Sequence, residues 1–334
     1  MCMYYTKGIK QDGYILCRVC NMKKYEHPIF IYIYDITFQC DDIILLIQDY
    51  IKVDNYNNID GGRNHTVALL QDNTIKCWGK YYKVPEFIQD RVLSIECLYH
   101  HNIALLNDNT IICWGDNMYG QCDVPDSIQG KVISIECGED NSIALLNNNT
   151  VKCWGRTSYR QCNVPDSIQG MVVSIGCGSM HCCALLNDMT VKCWGDNMWG
   201  QCNVPDSIQG RVVSIECGIN HTCVLLNDMT VKCWGNNDCR QCTVPDSIQG
   251  KVISIKCGAY HTIVLLNNMT VEGWGDNSDM QCNPPDSIQG KIISIKCGLY
   301  HSIALLNDNT VICWGYNNDG QCNVPDEVQG KIYT

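Results

Sequence analysis

The chain carries 26 cysteines in 334 residues, and most of them recur at three fixed positions of a sequence repeat. Thiols at fixed positions can form disulfide bonds, bind a soft metal ion or fill small apolar spaces. One set ends an apolar run, one precedes tryptophan and one follows glutamine. These sets are Cys97, Cys137, Cys177, Cys217, Cys257 and Cys297; Cys77, Cys113, Cys153, Cys193, Cys233 and Cys313; and Cys122, Cys162, Cys202, Cys242, Cys282 and Cys322.

Two further cysteines create obvious partners for the set that precedes tryptophan. Cys183 faces Cys193 across a predicted hairpin, and Cys223 faces Cys233 in the same way one repeat later. Cross-strand cysteines in a hairpin lie close enough to be bonded. We therefore expect these two pairs to be the better disulfide candidates.

The first and third sets are both missing from the first repeat, which favours pairing within a repeat. Cys97 would then bond Cys122, and Cys137 would bond Cys162. A disulfide that closes such a loop stabilises a protein by about 3 kcal/mol. Buried free thiols are the alternative, because free cysteine packs as a small hydrophobe.

Histidine is the second repeated chemical group. It recurs at one position, with asparagine in the third repeat: His65, His101, Asn141, His181, His221, His261 and His301. Repetition at equivalent places indicates a shared structural hydrogen bond at a strand turn rather than a metal or acid–base site. The sequence also lacks a Ser/His/Asp set, a phosphate loop and a paired-carboxylate motif. We therefore expect no catalytic residue, no metal in the repeats, no cofactor and no enzymatic activity.

The elements that position these groups follow from a Cys-Trp-Gly triplet that recurs every 40 residues. Residues 211–250 show one repeat, with apolar runs over 212–217 and 221–226, a turn, and a third run over 230–234. No segment has a helical period over ten residues or more. The sequence predicts an all-β, seven-bladed β-propeller of 36–40-residue repeats, with tryptophan between blades. The seven copies contain Trp78, Trp114, Trp154, Trp194, Trp234, Trp274 and Trp314.

The end of the chain predicts how the ring closes. An open stack needs polar capping repeats, but the last repeat looks like an interior one. Residues 331–334 match the start of a first strand such as 291–294, and the first repeat has a poor first strand at 55–60. We predict that the C-terminal tail pairs into blade one.

The order of motifs within each repeat resembles the repeat of the regulator of chromosome condensation family. These motifs are, in succession, Cys-Gly-x-x-His, Ala-Leu-Leu, Asn-Asp-x-Thr-Val and Trp-Gly-Asp-Asn-x-x-Gly-Gln. The resemblance covers about residues 55–334 and implies a seven-bladed propeller. The trailing Asn-Val-Pro of 163–165 and 203–205 is most similar to compact short-repeat members, which include the propeller-type β-lactamase inhibitory protein.

The chain departs from the family where Gly-Gln-Leu-Gly is usual, since it has Gly120-Gln121-Cys122-Asp123. Aspartate and asparagine tolerate a left-handed backbone, so we expect Asp123 and Asn203 to preserve this turn. Nucleotide-exchange members carry longer repeats and a blade insertion that contacts a small GTPase. The uniform 40-residue repeats here disfavour that activity.

Composition limits the partners. The formal net charge is −11 and the isoelectric point is about 5.1, so the basic stripe of a nucleic-acid binder is not expected. The N-terminus lacks an apolar signal-peptide core, and no run approaches 18 apolar residues. We expect no membrane insertion and a cytoplasmic or virion location. Frequent Asn, Ile, Asp and Lys are typical of an AT-rich genome, such as that of a protist or a large DNA virus.

Residues 1–52 precede the repeats, which leaves residues 53–334 for the propeller. We interpret residues 1–52 as a small β-rich extension that could mediate assembly, with a strand over 28–34. A spacing loosely suited to zinc is provided by Cys17, Cys20, His27 and Cys40.

Two loops vary among the repeats: the one before the repeated histidine and the one after Trp-Gly. Antiparallel order places both loops on one face of the propeller, which we call the variable-loop face. Clustered exposed aromatic residues mark protein interfaces, whereas unconstrained loop drift is the alternative. The predicted partner-binding residues are Tyr99, Tyr119, Tyr159, Trp199, Tyr260 and Tyr300.

The sequence thus favours a non-enzymatic propeller that binds a protein partner, or another copy of itself, through the variable-loop face. One alternative is a structural component of a virion, fibre or other assembly stabilised by disulfides. The second alternative is a regulator of a small GTPase, which rests on the family resemblance alone.

Overall fold

The computed structural model describes residues 58–80 and 83–333, together with three short strands nearer the N-terminus. The chain separates into two compact units, residues 1–43 and 44–334. In the first unit, three strands form an antiparallel sheet in chain order: β1 (Lys10–Gln11), β2 (Tyr14–Leu16) and β3 (Lys23–Tyr25).

Several predictions about the N-terminal extension concern residues outside the described part of the chain. They include the strand over 28–34 and the zinc-like set of Cys17, Cys20, His27 and Cys40. The predicted domain boundary between residues 52 and 53 stays a prediction.

The second unit holds seven antiparallel sheets, each built from three consecutive strands, which confirms the all-β seven-bladed propeller. Blades 1 to 4 are β4 (Ile59–Gly61), β5 (His65–Leu69), β6 (Ile75–Gly79); β7 (Val92–Cys97), β8 (His101–Leu106), β9 (Ile111–Gly115); β10 (Val132–Cys137), β11 (Asn141–Leu146), β12 (Val151–Gly155); and β13 (Val172–Cys177), β14 (His181–Leu186), β15 (Val191–Gly195). Blades 5 to 7 are β16 (Val212–Cys217), β17 (His221–Leu226), β18 (Val231–Gly235); β19 (Val252–Cys257), β20 (His261–Leu266), β21 (Val271–Gly275); and β22 (Ile292–Cys297), β23 (His301–Leu306), β24 (Val311–Gly315).

The constant turn between the second and third strands is held by its own side chains. In blade 2 the Asp108 carboxylate accepts from the Thr110 backbone N–H at 3.1 Å and from its hydroxyl at 2.5 Å. Asn109 between them is left-handed, with φ of 62°. Aspartate or asparagine supplies this acceptor in every repeat, which explains why it recurs before x-Thr. The left-handed position varies, since it is methionine in blades 4 to 6: Met189, Met229 and Met269.

The connector between blades protects the outer edge strand with a side chain instead of a fourth strand. The Gln129 side chain accepts from the Ile111 backbone N–H at 2.8 Å and donates to the Ile111 carbonyl at 3.0 Å. Ile128 beside it is fully buried and anchors the connector. The repeated Pro-Asp-Ser-Ile-Gln-Gly therefore satisfies backbone groups that would otherwise form an open sheet edge.

Most neighbouring blades meet at what we call the interblade junction, formed by tryptophan, a hydroxyl and a glutamine carbonyl; between blades 3 and 4, Cys182 takes the place of the hydroxyl. The Gln121 carbonyl accepts from the Trp154 indole N–H at 2.9 Å and from the Ser142 hydroxyl at 2.9 Å. Around it, Ile103 of blade 2 packs in one buried cluster with Ile135 and Trp154 of blade 3. The same indole contact joins Trp78 to Gln321, Trp194 to Gln161, Trp234 to Gln201, Trp274 to Gln241 and Trp314 to Gln281.

The C-terminal tail closes the ring, as predicted. Ile332 forms an antiparallel bridge with Leu70 of blade 1, and the Tyr333 N–H donates to the Leu69 carbonyl at 3.2 Å. Ile332 is fully buried beside Ile59. The tail and β4 therefore together occupy the position of the first strand in blade 1. This explains why the first repeat lacks a complete first strand.

Ile332→Ala tests this closure. Truncation of a buried isoleucine costs about 2 to 5 kcal/mol, so the urea midpoint followed by tryptophan fluorescence should fall. Tyr333→Ala is the control, because that side chain is 46% exposed and its backbone bond is kept. Equal midpoints for the two variants would contradict closure through Ile332.

Candidate protein-binding face

The two variable loops lie side by side in every blade. In blade 2 the Asp116 N–H donates to the His100 carbonyl at 2.9 Å, and Gly115 pairs with His101. The same backbone bond joins Lys80 to Asn64, Arg156 to Asp140, Asp196 to Met180, Asn236 to Asn220, Asp276 to Tyr260 and Tyr316 to Tyr300. The antiparallel strand order thus gathers both sets of variable residues at one end of each blade.

The loop after Trp-Gly has a fixed internal frame. Asn117 accepts from the Cys122 N–H at 2.7 Å and donates to the Asp123 carboxylate at 2.8 Å, while the Gln121 side chain accepts from the Tyr119 N–H at 2.9 Å. The equivalent asparagines in the later blades are Asn197, Asn237, Asn277 and Asn317. Because these backbone groups are satisfied within the loop, the tip side chains can vary without changing its shape.

The left-handed residue of this loop is not the one that the resemblance suggested. Gly120 has φ of 77°, and Arg160 at the same repeat position has φ of 61°. Asp123 and Asn203 do not have positive φ. Asp123 and Asn203 preserve the turn, as expected, but the left-handed conformation given as the reason was wrong. Their side chains hold the loop by accepting a hydrogen bond from the frame asparagine.

Exposed methionine and aromatic side chains occupy the loop tips of blades 2 and 4. The exposed fractions are 82% for Met118, 45% for Tyr119, 84% for Met198 and 49% for Trp199. The equivalent tip pairs of blades 5 to 7 are Asp238-Cys239, Ser278-Asp279 and Asn318-Asp319. Blade 6 also exposes Met280 beside its tip pair, but the exposed aromatic residues of this loop lie on blades 2 and 4. Exposed large hydrophobic groups mark an interaction site there.

Arg156 lies between the loop tips of blades 2 and 3. Its guanidinium carbon lies 4.7 Å from the centre of the Tyr119 ring and 5.3 Å from that of Tyr159, which is cation–π contact. Its Nη1 donates to the Asp140 carboxylate at 2.9 Å. Arg156 was not among the residues predicted from the sequence to bind a partner. Its position directly after Trp-Gly, where blade 2 has Asp116, was a signal that could have identified it. We call the combined surface the aromatic rim: Met118, Tyr119, Arg156, Tyr159, Met198 and Trp199.

Tyr99 is a correction to the predicted surface. It is only 7% exposed, packs with Ile219, Ala259 and Leu299, and burial raises the pKa of its hydroxyl. Blades 2 and 5 are not neighbours, so their side chains can meet only at the propeller axis. The prediction was wrong because the loop before each histidine turns toward the axis; we call this buried group the axial plug.

Tyr260 and Tyr300 are half-buried against the axial plug. The ring of Tyr300 also packs edge-on against Tyr316, with ring centres 6.2 Å apart. Backbone bonds reinforce the plug, since the Ile219 N–H donates to the Ala259 carbonyl at 3.3 Å and the Ala259 N–H to the Leu299 carbonyl at 2.8 Å. Among the predicted partner-binding residues, the exposed ones are thus Tyr119 and Trp199, and Tyr159 between them is half-buried.

A cavity next to the axial plug contains charged groups that sequence reasoning missed. Burial raises the pKa of Glu96 well above its ordinary value and that of Glu136 to about 8, and Glu216 pairs with Lys256 at 2.5 Å. The signal was the residue before the cysteine that ends each first strand. The charged lining consists of Asp60, Glu96, Glu136, Glu216, Lys256 and Lys296. These groups are internal and do not form the binding face.

The structure contains disulfide bonds between Cys183 and Cys193 and between Cys223 and Cys233. These are the pairs that face each other across the hairpins of blades 4 and 5. Each bond joins the second and third strands of one blade.

The other predicted disulfides were wrong, because Cys97, Cys122, Cys137 and Cys162 are free. Cys97 and Cys137 end first strands at the axis, and the middle strand separates them from the loop after the third strand. Cys162 instead lies near the cysteine that precedes tryptophan, with 2.8 Å between its sulfur and that of Cys153.

The repeated histidines share one hydrogen bond, as predicted, but this bond links blades instead of closing a turn. His101 Nε2 lies 3.0 Å from the Ser142 hydroxyl of the next blade. The equivalent contacts are His65–Asn102, His181–Thr222, His221–Thr262, His261–Ser302 and His301–Thr66. In blade 3, Asn141 donates to the Cys177 sulfur at 3.2 Å instead.

Seven segments match the profile of the regulator of chromosome condensation (RCC1) repeat: 57–80, 92–121, 132–161, 172–201, 212–241, 252–281 and 292–321. The chain belongs to this repeat family. Comparison with curated proteins gave no match. For the RCC1-type propeller described here, no helix among the described residues is long and apolar enough to span a membrane.

Solved structures share the RCC1-type fold at low identity. The ectodomain of the Physcomitrella patens receptor kinase CR4 is 23% identical with a TM-score of 0.63, over 78% of this chain and 73% of that one. The Arabidopsis thaliana ACR4 ectodomain is 20% identical with a TM-score of 0.64, over 79% and 97%. Prp20p from Saccharomyces cerevisiae is 17% identical with a TM-score of 0.63, over 86% and 89%.

His101→Asn tests the histidine contacts and copies the natural Asn141. Burial lowers the pKa of His101 to about 4. The unfolded chain therefore binds this proton first, so stability that is present above about pH 6.5 is lost as pH falls toward the folded pKa. Between the folded and the unfolded pKa of His101, the unfolding free energy should fall less steeply with decreasing pH in the variant than in the native protein. The difference between the two slopes should be up to about 1.4 kcal/mol per pH unit.

Denaturant titrations at several pH values give the required slopes. Ser142→Ala is the control, because it removes the hydrogen-bond partner but keeps the buried imidazole, so the steep slope should remain. Parallel curves for the native protein and His101→Asn would refute the assignment of the slope to His101.

Proposed function

We propose that this propeller is a non-enzymatic protein-binding module whose contact surface is the aromatic rim. The observation that carries the proposal is the concentration of methionine and aromatic side chains at the loop tips of blades 2 to 4. Met118 and Met198 are more than four-fifths exposed (82% and 84%), whereas the loops of blades 5 to 7 lack aromatic tips and expose one methionine, Met280. A surface kept apolar over adjacent blades favours recognition of one partner rather than general loop drift.

The composition of the rim suits a protein interface. Tyrosine, tryptophan, methionine and arginine are the residue types enriched at the centres of such interfaces. Arg156 is held between two rings and a carboxylate, so little side-chain entropy is lost when a partner covers it. The complementary surface on the partner would be apolar, with a hydrogen-bond acceptor for the remaining guanidinium N–H groups.

The relatives and the charge support a protein partner. The yeast relative Prp20p is described by its binding to Gsp1p and histones, which is a property of that protein. The net charge of −11 in the present chain opposes attraction to nucleic-acid phosphates. A protein partner is therefore the class that we propose.

The test compares substitutions at one repeat position in blades 2 to 4 with substitutions at the same position in blades 5 to 7. Replacing Tyr119, Tyr159 and Trp199 together by serine should weaken capture of the partner from native extract by roughly tenfold or more, since buried aromatic anchors dominate binding energy. The matched control replaces Cys239, Asp279 and Asp319 by serine, at the same position of the next three blades. Both variants should unfold at the native midpoint, because these loop frames do not depend on the tip side chains.

Loss of capture in the rim variant with retention in the control is the expected result. An unchanged set of captured proteins for the rim variant, at equal loading, would overturn the proposal. Equal loss in both variants would also overturn it, because the contact would then extend around the whole ring.

A second candidate function, a structural unit in a disulfide-linked assembly, is favoured by Cys239. This cysteine is free and exposed at the loop tip of blade 5. An exposed thiol can exchange with a thiol on another chain, whereas buried thiols are inaccessible.

Non-reducing electrophoresis of material isolated with thiols blocked provides the measurement. A disulfide-linked assembly predicts oligomer bands that disappear on reduction and in Cys239→Ser. Cys122→Ser is the control, because that half-buried thiol lies inside the loop frame. Monomer bands in the native sample would eliminate this candidate.

A further inference from the structure

Two buried groups of metal-ligating side chains lie away from the aromatic rim, between blades 4 and 5 and between blades 5 and 6. One contains His181, Cys183 and Cys217, and within it the donor atoms lie within 4.8 Å of one another. The second, one repeat later, contains His221, Cys223 and Cys257 with the same limit. All six side chains are buried. Packing therefore fixes the positions of the donor atoms, as it does not for mobile side chains on the surface.

A fourth sulfur lies beside each group, although it is outside the mutual 4.8 Å limit of the three donor atoms. Cys193 pairs directly with Cys183 in the hairpin of blade 4, and Cys233 pairs with Cys223 in blade 5. These are the cysteines that form the two disulfides. Reduction therefore yields one imidazole and three thiols around each position.

The other blades show that the extra cysteine is not required by the fold. The position of Cys183 is occupied by Val67, Ile103, Ile143, Ile263 or Ile303 in the remaining blades. All of these side chains are buried, like Cys183 itself. Only blades 4 and 5 combine histidine, the middle-strand cysteine, the cysteine before tryptophan and the axial cysteine of the next blade.

We propose that the reduced protein binds two zinc ions, one through His181, Cys183, Cys193 and Cys217 and one through His221, Cys223, Cys233 and Cys257. One imidazole and three thiolates form an ordinary tetrahedral structural zinc set. Zinc–sulfur bonds of about 2.3 Å and zinc–nitrogen bonds of about 2.0 Å separate neighbouring donors by roughly 3.5 to 4 Å. Three donors of each set lie within 4.8 Å of one another, and the fourth, Cys193 or Cys233, must rotate toward the ion once its disulfide is reduced.

Neighbouring groups would orient the ligands. The Thr222 hydroxyl lies 3.0 Å from the His181 imidazole and 3.9 Å from the Cys183 sulfur. An imidazole has two ring nitrogens, so a metal-bound histidine can keep a hydrogen bond through the second one. Thr262 stands in the same relation to His221 and Cys223.

Metal binding and the disulfides exclude each other. A dithiol reductant breaks one S–S bond by supplying two electrons and two protons, and it leaves as its own disulfide. The two cysteines become thiols, and zinc then displaces the protons of three thiols at each site. In the oxidised protein, Cys183 and Cys193 have no thiolate to offer.

The two states connect the propeller differently. Each disulfide links two strands of one blade, whereas each zinc ion would also bond an axial cysteine of the following blade. The pair of ions would thus cross-link blades 4, 5 and 6 through Cys217 and Cys257. The proposal is independent of the partner-binding function, because these groups are buried between blades.

The experiment measures zinc in the reduced full-length protein by competition with a chromophoric chelator. Cys217→Ser and Cys257→Ser should each lose one equivalent, although neither cysteine belongs to a disulfide. Cys97→Ser and Cys137→Ser are the matched controls at the same position of blades 2 and 3, and their zinc content should equal that of the native protein. Any zinc held elsewhere in the chain cancels in these differences.

A gain-of-site variant covers the case in which the serine variants fail to fold. Ile103→Cys would complete a third set with His101, Cys113 and Cys137, since residue 103 pairs with Cys113. It should add one equivalent of zinc. With cobalt(II) as the probe, the increment should carry thiolate-to-cobalt charge-transfer absorption.

Unchanged zinc in Cys217→Ser and Cys257→Ser, with native unfolding midpoints, would overturn the proposal. So would equal losses in the control variants, or a reduced protein without tightly bound zinc. Zinc that stays after the Cys183–Cys193 and Cys223–Cys233 bonds have formed, as mapped by mass spectrometry, would overturn the exclusion between the metal and the disulfides.

Discussion

In blades 2 to 7, the glutamine carbonyl after the Trp-Gly loop is the contact on which the propeller depends. At the junction of blades 2 and 3, the Gln121 carbonyl accepts from both the Trp154 indole and the Ser142 hydroxyl. A carbonyl oxygen has two acceptor positions, so one backbone group satisfies two buried donors of the next blade. The Gln121 side chain also holds its own loop through the Tyr119 N–H. Loop shape and blade packing are therefore determined together.

The buried polar groups between blades form their hydrogen bonds at these junctions. Many other interior positions therefore require only a small apolar side chain. Cysteine meets that requirement, and burial raises the pKa of the Cys97 and Cys137 thiols well above the ordinary value, so they stay neutral. Most of the cysteine richness is thus packing. Covalent chemistry appears where a middle-strand cysteine, such as Cys183, meets the cysteine before tryptophan.

Local patterns predicted the strands, the Asn-Asp-x-Thr turns and the return of Ile332 into blade 1, because each of these depends on neighbouring residues or on the repeat count. The position of Tyr99 was not predictable, since its contacts come from blades that converge only at the axis. Arg156 escaped notice for a related reason, as its contacts span two blades. The buried charges around Glu96 likewise meet only at the axis. The charged residue before most of the axial cysteines is visible in the sequence, but it does not show that these side chains come together.

The same architecture separates two kinds of variation. A substitution at a loop tip meets solvent or a partner, because the loop frame satisfies its own backbone groups; Tyr119 and Asp279 can therefore occupy one position on one scaffold. A substitution on the middle strand faces the next blade, so exchange of Ile103 for the cysteine found at Cys183 changes the contacts between blades. Loop-tip residues and middle-strand residues occupy different positions of the repeat. The variable-loop face can therefore change its partner, and the interior can gain redox or metal chemistry, independently of each other in a repeat protein.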